Sequence, residues 1–180
     1  MVKCRITAAQ EYLQPMYDFF HRKLLYRSFL MMDEISVQVL KEDDRRARKK
    51  SYFWVIRTGE DGLNPIILYN YTPTRAGENA WRFLNGIALG CYLMADGYQG
   101  DNKVQETNHC CCWAHMRSYL LESIPKGMDK DYTNPAVHGF LYCKKIFAYE
   151  RPDREKGLNY KQICIRRLKD EKTVIEGFLA

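Results

Sequence analysis

No apolar run in this 180-residue chain is long enough to cross a bilayer. The longest, around IALGCYLMA, falls far short of the roughly 20 residues that a spanning helix needs. The first twenty residues, MVKCRITAAQEYLQPMYDFF, also lack the apolar stretch of a secretory leader. The cysteines make no disulfide framework: there are 7, an odd number, and three are consecutive (Cys110, Cys111, Cys112). A reduced, cytoplasmic setting without membrane attachment is expected. Internal repeats and low-complexity segments are absent as well. Nor is the chain poor in apolar residues, as disordered chains are, since 46% of it is hydrophobic and 13% aromatic. One globular unit with a real core is therefore expected. Lys and Arg outnumber Asp and Glu by 28 to 22, for a net charge of +6. That excess mildly favours an anionic partner, because basic groups that neutralise phosphates release counterions.

Apolar groups at Tyr12, Leu13, Met16, Phe19, Phe20 and Leu24 recur at helical spacing, which predicts an amphipathic helix over residues 8–27 with Pro15 as a start or a kink. SFLMMDEISVQVL reads as a first strand carrying Asp33 and Glu34. The charged segment KEDDRRARKK is a loop. SYFWVIRTG and PIILYNYTP follow as second and third strands, separated by a Gly/Asn/Pro turn, and the three runs suit consecutive antiparallel pairing. RAGENAWRFLNG has helical spacing closed by Gly86. IALGCYLMADGY reads as a fourth strand, buried on both faces, ending at Asp96 and the turn-forming Gly97. A short helix is expected in YQGDNKVQ, a fifth strand in ETNHCCCWAH, and a helix in HMRSYLLESIP ended by Pro125. Two further helices are expected beyond Asp129, the second with a basic face that is ordinarily a solvated one. Antiparallel strands followed by strand–helix alternation imply an α/β fold, a mixed five-stranded sheet flanked by helices with a C-terminal helical segment.

Asp33 and Asp96 each interrupt or end an apolar strand, where an unpaired buried carboxylate is costly unless it is hydrogen-bonded, ion-paired or bound to metal. If strands one and four are neighbours, both carboxylates can converge on one divalent cation, and their oxygens suit Mg²⁺ or Mn²⁺. The plainer alternative is a strand-end residue and an ordinary Asp-Gly turn. Arg75 precedes a helix N-terminus and is a candidate phosphate contact. Lys103 and Arg117 are weaker candidates for DNA contact, since isolated basic side chains are usually solvated.

Four stretches resemble the insertion sequence 66 family of DDE transposases: MDEISVQVL, SYFWVIRTG, YTPTRAGENAWRFLNG, and MADGYQGDNKV with CCWAHMRSYLLESIP. The resemblance continues through PAVHGFLYCKKIFAYER, so it covers nearly the whole chain. It implies a ribonuclease H-like core over residues 28–125, after a helical lead-in at 1–27 and before a helical insertion at 126–180. It also implies that Asp33 and Asp96 are catalytic metal ligands for Mg²⁺ (or Mn²⁺), acting in cleavage and strand transfer on DNA at transposon ends. Cys112 and His115 look like a Cys-x-x-His element accessory to that site. A zinc site there is weakly supported, because no second ligand pair has suitable spacing.

The chain departs from the family's pattern, which also includes N-terminal DNA-binding and zinc-binding parts not found in this sequence. The family's third acid, a Glu in an Asn-Asn-x-Ala-Glu-Arg-type motif, has no counterpart here, and Glu122, Glu150, Glu155, Glu171 and Glu176 all stand in other contexts. The expectation is a truncated or split transposase, inactive alone, whose partners would be the remaining C-terminal segment or another copy of itself. The competing expectations are a catalytically dead DNA-binding remnant and a metal-dependent hydrolase of a small substrate.

Overall fold

The computed structural model describes residues 2–41, 46, 48–97, 107–128 and 130–179, with the backbone alone described for 2–5 and 152–155. It contains two compact units, residues 1–110 and 111–180. In the first, α1 (Val2–Leu25) leads into β1 (Phe29–Gln38), β2 (Lys50–Thr58) and β3 (Ile67–Thr72). Then come α2 (Gly77–Phe83), β4 (Tyr92–Ala95) and β5 (Asn108–Cys111). The strands form one sheet in the order β3-β2-β1-β4-β5. β1 pairs antiparallel with β2, and β2 with β3, as the three β-rich runs imply. β4 lies parallel to β1, with Phe29, Leu30 and Met31 opposite Tyr92, Leu93 and Met94. A mixed α/β sheet with helices is therefore observed.

Period-two alternation decides which side chains enter the core. Leu30 and Met32 of β1, Trp54 and Ile56 of β2, Leu68 of β3, and Leu93 and Ala95 of β4 all point to one face. Leu24 and Leu25 at the end of α1 and Ala80, Phe83 and Leu84 around α2 bury themselves there. His21 fixes α1 to α2, its Nε2 lying 2.7 Å from the Phe83 carbonyl. Arg27 follows α1 and donates two bonds of 2.5 Å to Asp61 in the β2–β3 turn. Partial burial alone would raise the Asp61 pKa, but the bonds from Arg27 and the Leu63 amide hold it below the usual range.

Several expectations are corrected. Pro15 does not start α1; it lies inside the helix, and the surrounding turn is exposed, where one lost backbone bond can be replaced by water. The fourth strand is much shorter than the apolar run suggested, because Gly90 takes φ +72° and residues 87–91 turn before entering it. Nor is β4 buried on both faces: Leu93 and Ala95 are buried, whereas Tyr92 is 53% exposed. The fifth strand stops at Cys111, and Trp113–His115 already belong to the next helix. The helix expected in YQGDNKVQ lies outside the described residues.

The second unit holds α3 (Trp113–Ser123), α4 (Pro135–Glu155), α5 (Tyr160–Arg166), a π-helical turn (Arg167–Glu171) and α6 (Lys172–Leu179). The second of the two expected C-terminal helices is thus divided. α5 opens with a capping box: the Asn159 side chain accepts from the Gln162 amide, and the Gln162 side chain accepts from the Asn159 amide. Phe178 of α6 meets Trp113 and Tyr142 edge-on, at 5.6 and 5.8 Å between ring centres. No helix among the described residues is long and apolar enough to cross a membrane.

Candidate metal centre

The parallel pairing of β1 and β4 brings the carboxyl ends of both strands to one end of the sheet. Two positions beyond the last paired residues, Met31 and Met94, stand Asp33 and Asp96. The two strands that carry them are neighbours in the sheet. Gly97 follows Asp96 with φ +88°, so the Asp-Gly pair turns the chain sharply away from the strand end, a conformation open to glycine at little cost.

Burial corrects one expectation. Asp33 is exposed, because it shares the alternation of Met31 rather than that of Leu30 and Met32. Its Oδ1 accepts a 2.9 Å bond from the Glu34 amide. The sunken acid of β1 is Glu34, whose side chain is only 8% exposed. Counting by twos from Leu30 through Met32 reaches Glu34, so alternation is the signal that could have found it.

Glu34 and Asp96 share a cation supplied by the chain itself. The Arg75 Nη2 forms a salt bridge with Glu34 Oε1 and lies 3.5 Å from Asp96 Oδ2. Burial pushes the Glu34 carboxyl above its usual range, Arg75 opposes that, and the charges of Asp96 and Asp33 reinforce it. The arrangement is two acids, Glu34 and Asp96, joined by one guanidinium at the end of β1 and β4.

The loop bearing Arg75 is held from inside the core. The buried Trp54 Nε1 donates to Thr72 Oγ1 at 3.0 Å, and the Thr72 hydroxyl donates to the Thr74 carbonyl at 2.9 Å. That carbonyl also accepts from Asn79 Nδ2 at 2.8 Å, while the Asn79 amide donates to the Ala76 carbonyl. Arg75 thus leaves a backbone fixed on both sides. α2 begins at Gly77 after Ala76, which supplies no side-chain cap.

The remaining candidates fall in different places. Lys103 lies outside the described residues. Arg117, on α3, stacks over the rings of Phe140 and Phe147 of α4 at 5.7 and 5.5 Å, a packing contact within the second unit. Cys112 is the residue preceding α3, and its side chain makes no capping bond. His115 lies one turn on; its Nδ1 is buried without a hydrogen-bond partner, and its ring centre is 6.2 Å from that of Tyr119. Among the described residues no three His, Cys, Asp or Glu side chains are grouped to hold a metal ion. A hollow of about 320 Å³ is lined by Ser36, Val37, Gln38, Arg48 and Lys50, and includes none of the three acids.

Comparison with protein families gives a match over residues 1–180 to the model described as the Transposase IS66 family. Comparison with curated proteins gives no match.

Proposed function

The chain belongs to the Transposase IS66 family, and from that membership we propose that its first unit is a ribonuclease H-like core acting on DNA at transposon ends. In this reading Asp33 and Asp96 hold Mg²⁺ or Mn²⁺. The observation that carries it is the parallel β1–β4 pair, which delivers both aspartates to the same end of the sheet. The order β3-β2-β1-β4-β5, with three antiparallel strands followed by a parallel one, supports the same reading.

Carboxylate oxygens are the ligand type that a hard divalent cation takes. Its ligands would be carboxylate oxygens, and Asp96 together with Glu34 already gathers positive charge at that point. When bound, such ions supply activation of a water or a 3′-hydroxyl and stabilisation of the departing oxygen. The chain's own residues do the rest. The strand ends fix the carboxylates, Glu34 adds negative charge beside them, and Arg75 balances it. Cleavage and strand transfer require a third acid in this family, so the chain alone is proposed to bind DNA and metal without cutting.

Binding to a transposon-end duplex tests this reading. The expected result is an affinity that falls steeply as salt rises, from released phosphate counterions, with a Mg²⁺-dependent part that D33N and D96N remove. Affinity indifferent to salt, or a Mg²⁺ effect unchanged in both variants, contradicts it. The catalytically dead remnant predicts the salt dependence without the Mg²⁺ effect.

A further inference from the structure

Among the described residues, β4 pairs with β1 as far as Met31, and β3 pairs with β2 from Arg57 to Tyr52. The last two rungs of the β1–β2 ladder, Val37 with Ser51 and Gln38 with Lys50, lie past both neighbours. The hairpin thus ends in a two-stranded arm. The segment at its tip, residues 41–50, carries six basic and three acidic side chains, three of the chain's six excess positive charges. Its described cations, Lys41, Arg46, Arg48, Lys49 and Lys50, are all exposed.

Lysines at a strand end ordinarily do no more than deter pairing with another sheet. Here two of the cations converge. Arg48 and Lys50 line the hollow of about 320 Å³ together with Ser36, Val37 and Gln38 of β1. The Ser36 hydroxyl and the Gln38 amide are neutral donors beside them, and the planar fork of an arginine matches phosphate oxygens. Gln38 and Lys50 also interact within the chain, so a phosphate would join partners they already have. Four of the five lining residues are exposed and Val37 is half-buried. So open a hollow does not enclose a free small molecule, whose sites bury most of the ligand. It suits a charged group presented by a polymer. We propose that the hollow seats a backbone phosphate of duplex DNA, with Arg48 and Lys50 supplying charge and Ser36 and Gln38 hydrogen bonds, and that the arm is a sequence-independent DNA contact. The inference rests on the DNA-binding reading of the first unit and names a contact that includes none of the acidic residues.

Fluorescence anisotropy of the whole chain with two labelled duplexes, one a transposon end and one of unrelated sequence, tests the contact across a range of salt. Each phosphate neutralised contributes about 0.9 to the slope of log affinity against log salt. Arg48→Gln combined with Lys50→Gln is expected to make that slope shallower by about 1.8 and to weaken binding to both duplexes alike. Arg48→Lys keeps the charge and therefore the slope, but loses the paired bonds of the fork and binds more weakly. Ser36→Ala removes a neutral donor, so affinity falls roughly three-fold at an unchanged slope. In the unaltered chain, where no variant has to fold, the Arg48 Nε–Hε resonance should shift as duplex is added.

A double variant with the slope of the unaltered chain, an Arg48 resonance indifferent to duplex, or a loss confined to the transposon-end sequence overturns the proposal. The last result would mean that the arm reads bases rather than phosphates. The unaltered chain separates the two failures. If its affinity falls steeply with salt and the double variant follows the same line, the hollow is wrong and the DNA-binding reading stands. If the unaltered chain binds neither duplex, or binds both without regard to salt, both readings fall.

Discussion

At the scale of single residues, the cluster depends on a hydrogen-bond chain that begins in the core. Trp54 is fully buried, and its indole N–H has Thr72 as acceptor. Thr72→Val keeps the shape of the side chain, removes that acceptor, and deprives the Thr74 carbonyl of a donor. Stability is expected to fall by about 1–3 kcal/mol, the cost of stranding a buried donor, as measured by chemical denaturation. A variant as stable as the original would show that the chain of bonds does not hold the loop. None of this linkage was visible in the sequence. Thr72 read there only as the end of the third strand, and its link to Trp54 depends on the β2–β3 register, in which Trp54 pairs with Asn70. The Asp-Gly turn at Asp96 was legible, because a glycine directly after an acid at the end of an apolar run marks a turn. Glu34 was overlooked beside the more familiar Asp33, although alternation along β1 assigns it to the sheltered side.

At the scale of elements, the π-helical turn in the second unit concentrates charge. Arg167 donates to both oxygens of Glu150 on α4, at 2.6 and 2.8 Å, and Arg166 approaches Glu171 at 3.2 Å and Asp170 at 3.8 Å. Glu171 is only 6% exposed. Burial first, and the neighbouring Glu150 carboxylate second, raise its pKa to about 7. The Arg167 bonds hold Glu150 below its usual range against the effect of burial. The raised Glu171 keeps its proton in the folded chain at pH values where the unfolded chain has lost it. Its contribution is therefore fully present below about pH 4.5 and is lost as pH rises towards 7. Glu171→Gln mimics the protonated form, so the fall in melting temperature between pH 5 and about 8 should flatten. An unchanged pH profile would contradict the assignment. Sequence periodicity could not divide this segment, because a π turn inserts one residue without altering composition. The first three strands were legible from their β-branched and aromatic content. β4 was overextended because Ile87 is buried by a turn, and apolar residues in a buried turn read like a strand.

At the scale of the whole molecule, membership in a transposase family gives the chain a role in transposition. The excess of six positive charges is consistent with a phosphate-rich partner. The sheet order was only partly implied by the strand sequence, since periodicity does not say that β4 returns beside β1. That return is what brings the ends of the two strands that carry the aspartates together. The central claim is that Asp33 and Asp96 together bind a divalent cation, and Mn²⁺ titration of the unaltered chain against Asp33→Asn and Asp96→Asn tests it most directly. The account predicts saturable binding in the unaltered chain that each substitution weakens at least roughly ten-fold while the melting transition is kept. Equal binding in all three proteins would contradict it.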